Sequence, residues 1–259
     1  MTVKRKSVLL FCVLLTGCAA SLHAGTPEEE TQARAYSDGP FTLNYRIFLP
    51  PNLSKSEKVP LVLFLHGAGE RGEDNARQLV HGIPALLEYL KNTNQRAILL
   101  IPQCPADRRW VEVHWGDDAH TMPEEPSVPM RALMKLLNQT IHEFPVDPNR
   151  VYVTGISMGG FGTWDIIQRA PDLFAAALPV CGGGDLAQAA TLKDLPIWAF
   201  HGAVDKVIKP ERSRDMIRAV RQAGGRPVYT EYPGVAHVSW TQTYTNRAVL
   251  DWLFSQHKS

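Results

Sequence analysis

Short, continuous apolar runs separated by helical patterns are the feature that most constrains the fold of this chain. PLVLFL (60–65), AILLI (97–101) and VYVT (151–154) show no polar alternation, which is typical of strands buried on both faces. Between two of these runs, apolar residues recur at intervals of three and four from residue 128 to 144, which predicts a helix. Alternating strands and helices predict an α/β domain whose mostly parallel central sheet is covered by helices on both faces.

Residues 41–259 carry this alternation without a linker, so we expect one domain there. The chain is 44% hydrophobic and 20% charged, which is ordinary for a globular protein, and its formal net charge of +1 gives no indication of a nucleic-acid partner. Neither a zinc-type spacing of Cys and His nor a nucleotide-binding loop occurs in the sequence. We therefore predict no metal and no cofactor.

The first residues resemble a bacterial lipoprotein signal. Lys4, Arg5 and Lys6 precede an apolar run that is too short to span a bilayer, and LLTGC ends that run at Cys18. The resemblance implies a signal peptide over residues 1–17, lipid attached to the Cys18 thiol, and an exported protein anchored to the cell envelope. An ordinary signal peptide cut after Ala24 is the alternative.

Residues 18–40 are predicted to be a flexible, lipid-anchored tether, because they are polar, acidic and without apolar periodicity. Ala19, rather than Asp, follows the cysteine, which by resemblance favours the outer membrane facing the periplasm if the source is Gram-negative. Loss of residues 1–17 removes three basic residues and takes the net charge from +1 to −2. Attraction of basic residues to anionic lipid is therefore not the predicted anchor.

A serine lies among closely spaced glycines directly after the predicted strand 151–154. The segment TGISMGGFG matches G-x-S-x-G, the pattern of a nucleophile elbow between a strand and a helix. A side chain at either glycine of the pattern would clash with neighbouring backbone, so we expect Ser157 to stand on a sharp turn. Composition alone gives roughly 0.06 chance matches in such a chain, and a loop serine beside a tight turn is the alternative.

Two further polar residues follow later predicted strands. Asp205 comes after the strand 197–200, and His237 after the strand 228–232. Ligands bind at the carboxyl ends of strands in open α/β sheets, so these residues and Ser157 are expected at one edge. A serine nucleophile needs a base that titrates near neutral pH, and the base needs an acid to hold its tautomer. The order Ser157, Asp205, His237 is that of the α/β-hydrolase triad, and we predict these three as catalytic.

Other acidic residues and histidines are alternatives for the acid and the base. They are Asp165, Asp172, Asp185, Asp194, Asp215 and Asp251 for the acid, and His66, His114, His120, His201 and His257 for the base. Most of these acids lie on predicted helices or at their ends. His66 precedes the nucleophile in the chain, which favours a role in shaping its loop, and His201 begins the acid loop.

The glycine-rich turn after the strand 60–65 is expected to expose backbone N–H groups at the same edge. Such donors stabilise the anionic oxygen of a tetrahedral intermediate, and the amide of Met158, directly after the nucleophile, is the expected second donor. Arg71 borders this turn and has two candidate partners, a substrate carboxylate or a nearby acidic side chain.

Several segments together resemble the α/β-hydrolase serine esterases over about residues 41–257. They are HGAGERG, PQCP, DPNRVYVTGISMGGFGTW, PVCGGGD, PIWAFHGAVDKVI and YPGVAHVSW. The chain is similar in particular to exported bacterial carboxylesterases of the polyhydroxybutyrate-depolymerase and dienelactone-hydrolase-like group. Some relatives are named predicted peptidases, being similar to prolyl oligopeptidase catalytic domains. The resemblance implies an α/β-hydrolase fold and an oxyanion hole formed by the amides of Ala68 and Met158, with Gly69 as the alternative to Ala68.

No large cap is predicted between residues 180 and 197, so the site is expected to be open to esters of large molecules. Trp110, Trp115 and Trp240 are predicted to bind substrate, since aromatic rings stack on sugar or aryl groups; packing in the core is the alternative for each. The sequence thus predicts a serine carboxylesterase that cleaves short-chain or carbohydrate-linked esters through an acyl-enzyme. A prolyl-oligopeptidase-type serine peptidase and a non-catalytic binding lipoprotein are the alternatives.

Overall fold

An eight-stranded sheet organises residues 25–258, the part of the chain that this computed structural model describes. The strands are β1 (Gln32–Asp38), β2 (Phe41–Phe48), β3 (Val59–Leu65), β4 (Ile98–Gln103), β5 (Val146–Ile156), β6 (Ala176–Val180), β7 (Trp198–Gly202) and β8 (Val228–Tyr232). Their order is β1-β2-β4-β3-β5-β6-β7-β8. Pairing is antiparallel from β1 to β2 and from β2 to β4, and parallel elsewhere. The predicted mostly parallel sheet is confirmed.

Helices cover both faces of this sheet, as the alternating pattern predicts. They are α1 (Pro27–Glu30), α2 (Ile83–Thr93), α3 (Val128–Glu143), α4 (Met158–Arg169), α5 (Glu211–Gln222), α6 (Trp240–Thr245) and α7 (Arg247–Ser255). Helices α3, α4 and α5 build one apolar core, and α2, α6 and α7 build the other. Strand β3 serves both, because Leu61, Leu63 and Leu65 pack in the first core while Val62 and Phe64 pack in the second. Burial of both faces explains its continuous apolar run.

Helix α2 begins later than the sequence predicts. The sequence predicts a helix over residues 76–90, but Gly82 has a φ of 76° and separates α2 from the short 3-10 helix Arg77–Leu79. A Cβ at Gly82 would lie 2.5 Å from the ring of Phe64. The close approach of this turn to β3 therefore requires glycine and delays the helix.

The predicted tether includes residues that belong to the folded domain. Residues 26–38, predicted as part of the tether 18–40, form α1 and β1, and β1 pairs with β2 along its whole length. The guanidinium of Arg46 donates to the carbonyls of Glu28 and Thr31 at 3.0 and 3.1 Å. The prediction is wrong here because β1 is an edge strand with mostly exposed side chains. Backbone pairing holds it, and such a strand needs no apolar periodicity.

The predicted signal peptide over residues 1–17, the predicted lipidation site at Cys18 and residues 19–24 lie outside the described residues, as does Ser259. Among residues 25–258, no helix has both the length and the apolar composition that crossing a bilayer requires.

Removal of β1 tests its place in the domain. We expect a chain that begins at Phe41 to unfold about 10 °C below a chain that begins at Gly25. The seven-residue strand contributes backbone hydrogen bonds worth about 1 kcal/mol each at most, and a net loss of about 3 kcal/mol gives a shift of that size. Thermal unfolding followed by circular dichroism measures the difference. Equal melting temperatures would show that β1 adds nothing to the domain.

Candidate active site

The turn between β5 and α4 places Ser157 at the carboxyl edge of the sheet. Its backbone has φ 54° and ψ −116°, a strained conformation for a residue with a Cβ, and its amide donates to the Val180 carbonyl at 2.9 Å. The flanking glycines have no space for side chains. A Cβ at Gly155 would lie 2.3 Å from the carbonyl oxygen of Gly159, and one at Gly159 would lie 1.9 Å from that of Leu65. The G-x-S-x-G pattern therefore forms a strand–turn–helix elbow.

Ser157, His237 and Asp205 form a continuous line of hydrogen bonds at this edge. His237 Nε2 lies 2.9 Å from Ser157 Oγ, and His237 Nδ1 lies 2.7 Å from Asp205 Oδ2. A carboxylate only accepts hydrogen bonds, so Nδ1 carries the proton and Nε2 accepts from the serine hydroxyl. The Asp205 carboxylate is fully buried, while 17% of the His237 side chain remains exposed. This arrangement allows a serine proton to pass to the imidazole.

The loops after β7 and β8 hold each other in place and so fix the acid relative to the base. The Val204 amide donates to the Val235 carbonyl at 3.0 Å. A Cβ at Gly202 would lie 2.0 Å from the carbonyl oxygen of Ala236, so the backbones of the two segments are in direct contact. The distance between Nδ1 and the carboxylate therefore depends on the sheet, not on a mobile side chain.

Asp205 is held as a carboxylate. Burial raises the pKa of its carboxyl, but contacts with His201 and His237 and the amides of Ile208 and Val207 outweigh burial and hold the pKa well below its usual range. The two amides donate to Oδ1 at 3.0 and 2.8 Å, which leaves Oδ2 to the histidines. An ionised acid here stabilises a protonated His237.

His66, an alternative for the base, shapes the loop after β3. Its Nε2 accepts from the Cys104 amide at 2.9 Å, and its Nδ1 donates to the Gly67 carbonyl at 2.6 Å. Burial lowers the pKa of His66 to about 4, so the ring is neutral. Backbone groups engage both nitrogens, one from the loop after β3 and one from the end of β4, and His66 is therefore not available as the base.

The backbone amides of Ala68, Gly69 and Met158 have no acceptor within residues 25–258. Ala68 begins the 3-10 helix Ala68–Glu70, and Met158 begins α4. Free N–H groups at the start of a helical turn suit a negatively charged oxygen. Arg71 donates to the carbonyls of Ala68 and Arg108 at 2.9 and 3.3 Å, and so braces this loop.

The prediction that Trp110 binds substrate is wrong. Its side chain is fully buried, its indole donates to the His66 carbonyl at 3.2 Å, and the His66 and Trp110 ring centroids lie 5.4 Å apart. The Trp110 carbonyl in turn accepts from the hydroxyl of Ser127, which caps α3. The segment 102–126 thus folds back onto the sheet and uses this tryptophan as core.

The other two tryptophans differ from each other. Trp240 is 8% exposed and lies edge-on to His237, with ring centroids 5.3 Å apart, so it packs against the imidazole. Trp115 is half-buried, and the guanidinium carbon of Arg109 lies 4.7 Å from its ring centroid. Substrate binding by Trp115 and Trp240 stays a prediction.

Sequence reasoning placed His201 at the start of the acid loop, as an alternative base, but missed that its ring contacts the acid. His201 is fully buried near the end of β7, and its Nε2 lies 3.2 Å from Asp205 Oδ2. The available signal was its position directly after a buried apolar run and four residues before the acid, in HGAVD.

Cys181, His201 and Asp205 are the one group of potential metal ligands within residues 25–258, with donor atoms inside 4.8 Å of one another. Burial raises the pKa of the Cys181 thiol to about 12, and its Sγ lies 2.7 Å from Ser239 Oγ. A metal here would have to displace the thiol proton of Cys181 and the contacts that His201 makes with Ile208 and Ser213. The prediction that the protein binds no metal stays a prediction.

The edge that carries Ser157 has no cap domain above the β6–β7 connection, which contains only the 3-10 helix Leu186–Leu192. The Asp185 carboxylate anchors the segment 102–126 beside it, accepting from the Met122 amide at 2.9 Å. The predicted absence of a large cap is confirmed for the described residues.

Several known proteins are similar to this chain in sequence. The sequence profile of the phospholipase/carboxylesterase family matches residues 52–247. Feruloyl esterase B of Talaromyces stipitatus is 25% identical over 230 residues, which cover 88% of this chain and 55% of that protein. Poly(3-hydroxyalkanoate) depolymerase C of Paucimonas lemoignei is 28% identical over 186 residues, covering 70% of this chain and 40% of that protein. The chain thus spans about half the length, or less, of these curated relatives.

A solved structure of an esterase has a similar fold. The crystal structure of a thermostable esterase matches with a TM-score of 0.82 and 37% sequence identity, covering 89% of this chain and 64% of that chain. The resemblance to α/β-hydrolase esterases and polyhydroxybutyrate depolymerases is confirmed. With a family match over most of its length and this fold, the chain belongs to the phospholipase/carboxylesterase family of α/β-hydrolases.

Proposed function

We propose that this protein is a serine carboxylesterase. The observation that carries the proposal is the hydrogen-bonded line from Ser157 through His237 to Asp205, with distances of 2.9 and 2.7 Å, at the carboxyl edge of the sheet. Family membership and the esterase names of its relatives support the same activity.

The reaction proceeds by acyl transfer to the serine. Ser157 Oγ attacks the ester carbonyl carbon while its proton passes to His237 Nε2, and Asp205 stabilises the resulting imidazolium through Nδ1. The tetrahedral intermediate collapses to an acyl-enzyme, and the leaving alcohol takes the proton from His237. Water then gives a proton to His237 Nε2 and attacks the acyl carbon, which forms a second tetrahedral intermediate. This intermediate collapses as His237 returns the proton to Ser157 Oγ, and the carboxylic acid and the free serine are released.

The amides of Ala68 and Met158 are the proposed oxyanion donors. Both lack a protein acceptor and both flank the elbow, since one lies in the loop after β3 and the other directly follows Ser157. Removing one such donor costs about 10²–10³ in kcat in other serine hydrolases. Gly69 remains the alternative to Ala68.

The proposed substrates are short-chain or carbohydrate-linked esters. The edge without a cap admits an ester carried by a large molecule, and a relative over most of this chain is named a feruloyl esterase. Trp115 and Trp240 are the proposed aromatic surfaces beside the site, of which Trp240 contacts the base directly.

Hydrolysis of p-nitrophenyl esters from C2 to C12 tests the activity. We expect the chain that begins at Gly25 to favour short acyl chains, and Ser157→Ala to lose about a thousandfold or more in kcat, because the variant has no hydroxyl beside His237 to accept the acyl group. Ser56→Ala, at an exposed serine outside the site, is the matched control and keeps full activity.

Two outcomes would contradict the esterase. Activity that is unchanged in Ser157→Ala would remove the serine mechanism. Absence of hydrolysis for every chain length would direct the next assay to proline-containing peptides, which the peptidase alternative predicts. Failure with peptides as well would favour the binding lipoprotein.

We also propose that the protein is exported and anchored by lipid at Cys18, after removal of residues 1–17. This rests on the resemblance of LLTGC, which ends at Cys18, to a lipoprotein signal. The folded domain begins only after residue 25. In a Gram-negative host, full-length protein should incorporate labelled palmitate and fractionate with the outer membrane, whereas Cys18→Ala should do neither. A soluble periplasmic product cut after Ala24 would instead support the ordinary signal peptide.

A further inference from the structure

The acid of the proposed triad faces two histidines, not one. Asp205 Oδ2 lies 2.7 Å from His237 Nδ1 and 3.2 Å from His201 Nε2. The His201 side chain is completely buried, as is the carboxylate. In the acyl-transfer steps, His237 is the one histidine that accepts and donates protons. His201 is therefore a buried titratable group beside the reacting residues that has no role in these steps.

The partners of His201 define which of its ring nitrogens carry hydrogen. On one side, Nδ1 lies 2.8 Å from Ser213 Oγ, and this hydroxyl lies 2.9 Å from the Gly182 carbonyl oxygen. A carbonyl only accepts and a hydroxyl has one hydrogen, so Ser213 donates to Gly182 and accepts from Nδ1. On the other side, Nε2 faces the Ile208 carbonyl at 3.0 Å and Asp205 Oδ2 at 3.2 Å.

Both nitrogens of His201 thus face acceptors: Ser213 Oγ at Nδ1, and the Ile208 carbonyl and Asp205 Oδ2 at Nε2. Only a ring with hydrogen on both nitrogens can donate to these acceptors while Ser213 donates to Gly182. An imidazolium buried beside a carboxylate is a paired charge, which a protein interior tolerates when hydrogen bonds complete the pair. This assignment follows from counting donors and acceptors around the ring.

Other charged or titratable groups near this ring do not replace Asp205 as its partner. Glu231 is the register neighbour of His201 on β8, but its carboxylate accepts from Arg214 at 2.8 and 2.6 Å and from the Tyr229 hydroxyl at 2.7 Å. The Cys181 thiol, within 4.8 Å, stays neutral because burial raises its pKa to about 12. Asp205 is therefore the anion that His201 pairs with.

We propose that His201 is a positioning residue for this reaction: as a buried imidazolium it fixes the Asp205 carboxylate and reduces the tendency of His237 to take up a proton. The proposal rests on the proposed esterase function, because the role is defined by its effect on the base. His201 touches neither Ser157 nor the oxyanion amides.

The same contacts join the acid to the nucleophile helix. His201 links Asp205 to Ser213 at the start of α5, and Ser213 links to Gly182. A Cβ at Gly182 would lie 2.4 Å from the Gly160 carbonyl carbon, so this glycine packs directly on α4 behind the serine. Polar contacts thus run from Asp205 to Gly182, and backbone packing of Gly182 against Gly160 completes the connection to α4.

The charge on His201 determines the direction in which its loss should shift the pH dependence of activity. The Asp205 carboxylate favours a protonated His237, and a positive His201 on the same carboxylate partly cancels that effect. Without the positive charge, His237 takes up its proton at higher pH. Since the base must be unprotonated to act, the acid limb of the kcat/KM profile then moves to higher pH.

His201→Gln is the informative variant, because a glutamine amide keeps an N–H donor near Asp205 but carries no charge. We expect the acid limb of kcat/KM against pH to move up by about one pH unit, with KM for the p-nitrophenyl ester unchanged. Ser213→Ala removes the acceptor of Nδ1 and should shift the limb in the same direction by less. His142→Gln, at an exposed histidine on α3, is the matched control and leaves the profile unchanged.

The protonation state of the histidine rings is measured separately, by NMR of the unmutated protein with ¹⁵N-labelled histidine. At a pH where solvent-exposed histidines are neutral, we expect one histidine whose two ring nitrogens both carry hydrogen. This measurement decides the inference even if His201→Gln does not fold. A neutral ring for every histidine would overturn it, as would an active His201→Gln or Ser213→Ala enzyme with an unshifted acid limb.

The outcomes separate the inference from the proposed function. An unmutated protein that hydrolyses no ester overturns the esterase and with it the role assigned to His201. An active, Ser157-dependent enzyme whose pH profile is the same in both variants overturns the role of His201 alone.

Discussion

The close approach of backbone to backbone at the elbow is the constraint on which this structure depends. Gly159 lies so near the Leu65 carbonyl, and Gly160 so near the Val180 carbonyl, that neither position has room for a Cβ. These contacts place the start of α4 between the ends of β3 and β6. The strained backbone of Ser157 is held by this packing and not by its own side chain. The same contacts bring the loop after β3 and the first turn of α4 to one edge.

A buried carboxylate organises the polar side of that edge. Asp205 accepts two amides on one oxygen and contacts two histidines with the other, so no part of its charge is left unpaired. A group with this many donors cannot easily rotate, which fixes the direction of His237. Backbone contact between the loops after β7 and β8 adds to this, since it sets the spacing of acid and base without side-chain movement.

The parts that sequence predicts well are those with a local physical cause. Strands β3, β4 and β5 are recognisable because burial on both faces leaves no polar alternation. The nucleophile, acid and base are predicted from their positions after strands, and the structure brings Ser157, Asp205 and His237 together. The errors concern non-local contacts. The residues of β1 carry no apolar period because backbone pairing with β2 holds an edge strand whose side chains are mostly exposed, and Trp110 is core because the segment 102–126 folds back onto the sheet.

The sequence by itself determined the class of fold and the chain order of the reactive residues, because apolar periodicity and glycine spacing act over a few neighbouring residues. Only the tertiary structure decided that His201 meets Asp205 as well as His237, since His201 lies on β7, His237 lies in the loop after β8, and nothing in their local sequence encodes a shared carboxylate oxygen. It also decided that His66 is a neutral buried support, because the Cys104 amide that fixes its tautomer comes from the end of β4. Hydrogen-bond partners set protonation, and partners distant in sequence exist only once the sheet has formed.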